Sequence, residues 1–227
     1  MKCKMDNISD TYLIIFFIVS TSLILIIGYV YEKRRTEALL KAARTLGLSF
    51  DKSVNANKFD KKYSCFQLFN HGHEKEIKNI MHGQRSSVDL MMFGYQYTIG
   101  SGKNSTTYKQ TVVSFESDRM KLPDFYLSPE NFIHKIRKAF GFKDIDFEKR
   151  PDFSNDYVLQ GNDSEEVRRV FSPKVLSYFE RNKGIYIEAK GNMIIYYKKS
   201  KRIKPESIKD FLVEAESIFL MFSQNNM

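Results

Sequence analysis

Residues 12–31 read YLIIFFIVSTSLILIIGYVY, an uncharged run closed by Glu32-Lys33-Arg34-Arg35. Coiled at about 1.5 Å per residue, about 20 residues of helix match the ~30 Å hydrocarbon core of a bilayer. A membrane span is expected here, with the lipid bilayer as its partner. A secretory leader would have a shorter apolar region, about 7–15 residues, followed by a small-residue cleavage site. This run instead ends in Gly28-Tyr29-Val30-Tyr31. Cutting near Ser20 or Ser22 would leave Leu23 to Ile27 as an exposed apolar end, so the segment reads as a retained anchor.

Lysines and arginines close to a span are kept on the cytoplasmic side. Upstream stand Lys2 and Lys4 beside Asp6 and Asp10; downstream come Lys33, Arg34, Arg35, Lys41 and Arg44. The asymmetry predicts a short translocated tail (1–11), a span (12–31) and a cytoplasmic body. Tyr12, Tyr29 and Tyr31 fall at the two ends of the run, where amphipathic rings favour the headgroup layer.

The rest of the 227-residue chain is long enough for one sizeable domain, and its 19 Phe and 13 Tyr, with no Trp, predict an aromatic core. Cys3 and Cys65 fall on opposite sides of the expected span, too few and too far apart for a disulfide framework. The formal net charge is +9, and the residues before Glu32 contribute none of it. For a tethered body that surplus is read as attraction to anionic lipid headgroups, about 1 kcal/mol per exposed cation near the surface, rather than to nucleic acid.

Residues 32–50 carry Ala38, Leu39, Ala42, Ala43 and Leu46 at helical spacing, with Gly47 as a C-terminal cap. They predict a juxtamembrane amphipathic helix, leaving 51–227 as the cytosolic domain. Runs at 63–69, 77–81, 88–98 and 108–115 are β-branched and aromatic, separated by turn formers at His71-Gly72, His82-Gly83 and Gly100-Ser101-Gly102. An antiparallel meander is expected. Ser128-Pro129-Glu130 has the cap, proline and carboxylate of a helix start, with Phe132, Ile133, Ile136 and Phe140 on one face up to Gly141. Further on, 157–159 reads as a strand, Asp163 or Ser164 caps a helix to Phe171, and Ser172-Pro173 opens another to Glu180. A hairpin around Gly191-Asn192 follows, and Pro205 starts a helix with the stripe Ile208, Phe211, Leu212, Ala215, Phe219 and Phe222. The fold class is α+β: an N-terminal transmembrane helix, a meander, helices, then a C-terminal hairpin and amphipathic helix.

Several short signatures occur in order: Ala43-Arg44-Thr45-Leu46-Gly47-Leu48-Ser49-Phe50, Gln110-Thr111-Val112, Leu122-Pro123-Asp124-Phe125 with Ser128-Pro129-Glu130, Asp144-Ile145-Asp146-Phe147, Phe153-Ser154 with Tyr157-Val158-Leu159, and Val167-Arg168-Arg169-Val170-Phe171. In this the chain resembles an uncharacterised group of bacterial proteins, each with one N-terminal span and a single soluble α+β region. The resemblance implies a shared fold and a place in the bacterial inner membrane. It implies no reaction, cofactor or catalytic residue.

His71, His73 and His82, with Cys65 nearby, are the densest set of metal-ligand types, but zinc catalysis needs three converging ligands and this spacing guarantees none. Asp144, Asp146 and Glu148 alternate with Ile145 and Phe147, which on an extended segment puts the carboxylates on one solvated face. Cys65 lies in an apolar strand pattern and reads as a small core residue. The sequence has no G-x-S-x-G elbow and no G-x-x-x-x-G-K-[ST] phosphate loop. The helix pair within 165–182 lacks the basic face of a DNA reader. Catalytic, metal and cofactor residues are therefore assigned to none. The sharpest charge cluster is Lys198, Lys199, Lys201, Arg202 and Lys204, expected to act with Lys33, Arg34 and Arg35 as a contact with anionic headgroups. The chain reads as a non-enzymatic, membrane-anchored module binding the membrane surface or a protein partner not identified by sequence. The alternative is a membrane-tethered metal-dependent hydrolase using the histidines or the acidic row.

Overall fold

The apolar run and the basic segment after it form one unbroken helix, α1 (Cys3–Thr45), in a computed structural model that describes residues 3–54, 56–130 and 143–223. Its 43 residues make a rod about 65 Å long. Leu13, Phe16, Ile24 and Tyr29 are all more than half exposed. Among the described residues α1 is the one helix long and apolar enough to cross a membrane, and none of its most apolar window is buried in the domain. A helix that is apolar all round belongs in a core or in lipid, and the core does not cover this one.

The last turns of α1 behave differently. Arg35, Leu39 and Ala43, spaced four apart and so on one face, are 7%, 3% and 0% exposed. The helix stops at Gly47, whose φ of +69° turns the chain. The Gly47 N–H then donates to Arg44 O and the Leu48 N–H to Ala43 O, closing two otherwise orphaned carbonyls.

The body is α+β, built on one antiparallel sheet. Its strands are β1 (Ser49–Ser53), β2 (His73–Arg85), β3 (Val88–Ile99), β4 (Thr106–Glu116), β5 (Leu122–Pro129), β6 (Lys143–Asp144), β7 (Tyr157–Gly161), β8 (Tyr186–Gly191) and β9 (Met193–Tyr197). They are ordered β1-β2-β3-β4-β9-β8-β5-β7-β6. The expected meander is β2-β3-β4, and the expected hairpin is β8-β9.

Alternation along the strands divides the core in two. One face packs the foot of α1 with α3 (Pro151–Asp156), α4 (Ser164–Val170), α5 (Pro173–Arg181) and α6 (Ile208–Ser223) over Met92, Val113, Leu127, Ile187 and Ile194. Every residue of the expected α6 stripe is buried there, and the Asp163 carboxylate caps α4 by accepting from the N–H groups of Glu165 and Glu166. The other face is aromatic. Over it lie α2 (Ala56–Tyr63) and a 3-10 turn (Gln67–Asn70); their Phe59, Tyr63 and Phe69, with Phe66 between them, pack on Phe93, Tyr95 and Val112.

Four local expectations are corrected. Residues 63–69 form the end of α2 and the 3-10 turn, not a strand. Cys65 between them is exposed rather than a core thiol. His82-Gly83 sits inside β2; the turn into β3 is made by Ser86 and Ser87, at φ +50° and +66°. A Cβ at Gly83 would lie 2.9 Å from Leu48 Cδ2, so the two residues pack closely. Ser128 and Pro129 close β5 instead of opening a helix. The helix expected through Phe132 and Phe140 to Gly141 lies outside the described residues. In addition, α1 ends at Thr45, so Ser49 and Phe50 already belong to β1.

Gly72 illustrates a strict backbone demand. Its φ is +70°, and a Cβ would lie 2.5 Å from the Thr98 carbonyl oxygen across the β2–β3 ladder. Gly72→Ala is expected to cost about 2 kcal/mol or more. A lowered midpoint in denaturant titration of the full chain checks this, and an unchanged midpoint would refute it.

Candidate functional site

Two places gather polar groups beyond what sheet formation requires. The first is the foot of α1. The buried Arg35 donates from Nη2 to Ile203 O at 2.6 Å, and Arg202 grips the Glu32 carboxylate with both terminal nitrogens. The segment between β9 and α6 is thus pinned to a helix 168 residues away in sequence. It is also stitched to β4: Thr111 N–H donates to Lys201 O, Ser200 N–H to Gln110 Oε1, and Ile203 N–H to Thr111 Oγ1. Lys198 pairs with Glu214 of α6 at 2.8 Å, and the Lys199 ammonium lies 5.2 Å from the Tyr108 ring centroid.

The two basic clusters therefore meet in space. Lys33, Arg34, Lys201 and Lys204 are exposed, Lys198, Lys199 and Arg202 are half-buried, and Arg35 is buried. Beside them opens a cleft whose lining includes Arg35, Lys78, Asn79, Lys109, Gln110 and Arg202. Arg35 Nε and Gln110 Nε2 are buried there without a hydrogen-bond partner among the described residues.

The second place lies under the 3-10 turn on the aromatic face. Glu188 of β8 is 2% exposed. Its carboxylate accepts from the Gln67 N–H at 2.5 Å, the Leu68 N–H at 3.0 Å and the Tyr197 hydroxyl at 3.1 Å. Burial lifts its pKa to about 7, with the three donors holding back the rise. Tyr97, Tyr126, Tyr186 and Tyr197 line an adjoining chamber with His71, Gln67 and Leu68. Burial raises all four phenols, Tyr97 to about 12. Burial, then Lys199 and Lys75, push His71 down. Both Glu188 oxygens are held by the protein's own donors, so this carboxylate pins the turn rather than facing a substrate.

The histidines are not brought together. His73 Nε2 lies 2.8 Å from Gly100 O, and His82 Nε2 lies 2.9 Å from Asp51 Oδ2. They stand nine residues apart on β2, about 30 Å at strand rise. His71 lines the tyrosine chamber, apart from both. Asp144, Asp146 and Glu148 share an open depression with Lys149, Arg150 and Arg168, and Asp144 accepts from Gln160 Nε2 at 2.7 Å. Among the described residues no three His, Cys, Asp or Glu side chains are placed to hold a metal ion.

Sequence reading missed Glu188, Gln67 and Gln110. The available signal was Glu188 itself, a lone carboxylate inside the otherwise apolar run from Ile185 to Ala189.

No family model matches the chain, and no curated protein matches it by sequence. Among solved structures, the crystal structure of the mycobacterial trehalose monomycolate transport factor A, TtfA, is similar to it. The TM-score is 0.60 at 9% identity, over 84% of this chain and 93% of that one. At that identity the likeness is one of fold.

Proposed function

We propose that this chain is a non-enzymatic binding domain fixed to a bacterial inner membrane, with residues 12–31 spanning the bilayer and the body in the cytoplasm. The observation that carries the proposal is the continuity of α1: an exposed apolar rod whose last turns are core residues of the sheet domain. The fold shared with a mycobacterial transport factor supports an accessory role in transport at that membrane, in contact with a protein partner. Lys33, Arg34, Lys201 and Lys204, exposed around the foot of the rod, would draw the domain onto anionic headgroups.

Alkaline carbonate extraction and cysteine labelling test this. The chain should stay with the membrane after extraction, and release would remove the span. An impermeant maleimide on intact spheroplasts should label Cys3 and spare the exposed Cys65 until the membrane is opened. Labelling of Cys65 alone would invert the orientation.

A further inference from the structure

We infer that the cleft at the foot of α1 is a binding site for a phosphate-ester anion, supplied by the headgroup of an anionic phospholipid. The inference rests on the membrane-anchored reading above and goes past its diffuse surface attraction to a discrete, stoichiometric site.

Charge is the first support. Four cations, Arg35, Lys78, Lys109 and Arg202, line the cleft; Lys78 is paired with Glu76 at 2.6 Å and Arg202 with Glu32, which leaves Arg35 and Lys109 as the surplus positive charge. Unmet hydrogen bonding is the second. Arg35 is 7% exposed and Gln110 1%, and each has a buried nitrogen, Nε and Nε2, with no acceptor among the described residues. A buried donor without a partner is costly, and both belong to side chains lining the same cleft. On the same side chains, Arg35 Nη2 is held by Ile203 O and Gln110 Oε1 by the Ser200 N–H. What is missing is an acceptor, and an anionic oxygen is the strongest partner for a guanidinium.

Depth is the third support and selects the source. Arg35 lies four residues past Tyr31, about 6 Å along the helix axis. Each headgroup layer is itself about 5–8 Å thick outside the ~30 Å hydrocarbon core. With 12–31 in the bilayer, the cleft opens at the level where lipid phosphates lie.

The test uses the full chain in nanodiscs of phosphatidylcholine alone or with phosphatidylglycerol, followed by native mass spectrometry after transfer to detergent at high salt. One phosphatidylglycerol should remain per chain, because salt screens a diffuse contact far more than a buried one. Lys109→Glu, an exposed charge reversal, and Gln110→Glu, which keeps the acceptor for Ser200 but replaces the donor by a carboxylate, should each cut retention at least tenfold. Circular dichroism verifies that both variants are folded. Lipid lost equally from wild type and variants at high salt would overturn the discrete site while leaving the anchored, surface-attracted domain intact. Protection of the wild type against thermal unfolding by inorganic phosphate or glycerol phosphate, with no retained phosphatidylglycerol, would overturn the lipid source.

Discussion

Glu188→Ala should lower the unfolding free energy of the domain by about 3–6 kcal/mol, because three buried donors lose their acceptor at once. Those donors are the N–H groups of Gln67 and Leu68 and the Tyr197 hydroxyl. The turn they anchor carries Leu68 and Phe69 into the aromatic core, so the loss spreads to packing. Denaturant unfolding of the full chain in detergent, followed by near-ultraviolet signals of the tyrosines, reads the change; a loss below about 1 kcal/mol would refute the pinning role.

The same residue sets a pH dependence. Its folded pKa, about 7, lies above the ordinary 4.5, so between those values the folded chain holds the proton more tightly than the unfolded chain. The stability tied to that proton is fully present below about pH 4.5 and is lost as pH rises through about 7, an amount of order 3 kcal/mol. Glu188→Gln removes the titration. The difference in stability between wild type and this variant should therefore change across pH 4.5–7 and level off above it, and a constant difference would contradict the assignment.

Phe171→Ala should cost about 3–5 kcal/mol and lower Tm by about 10–15 °C. Phe171, 2% exposed, touches the rings of Phe125, Phe147, Phe153, Phe179 and Phe222, with centroids 5.1 to 6.4 Å apart. It joins β5, α5 and α6 through one ring, and alanine would leave a cavity that none of these elements can fill alone. A calorimetric scan of the full chain gives the shift. Half-buried Phe147 edges the same cluster less deeply, so Phe147→Ala should cost clearly less.

What could be read from the chain is what depends on neighbours in sequence. The α6 stripe, the Asp163 cap, the Gly47 terminus and the hairpin at Gly191-Asn192 are local patterns, and each folds as its pattern states. At 63–69 the aromatic residues that resemble a strand instead reach down from a short helix and a turn, because tertiary burial outweighs β propensity. Ser128-Pro129 has the chemistry of a helix cap but ends β5, where proline's missing N–H costs little. The polar sites were least legible of all. Glu188 finds two of its three donors about 120 residues earlier, and Arg35 finds Ile203 168 residues later, pairings that only the sheet order creates.

A rod that runs without interruption from the apolar segment into the core also gives the domain a compass bearing. Each residue advances an α-helix by about 100° and about 1.5 Å. With residues 12–31 in a bilayer, inserting one residue after Tyr31 would swing the whole sheet by about 100° around the membrane normal, whereas seven would bring it back to within about 20°, roughly 10 Å higher. A partner held in the same bilayer would then meet a different face of the domain in the first case and the same face, displaced outward, in the second.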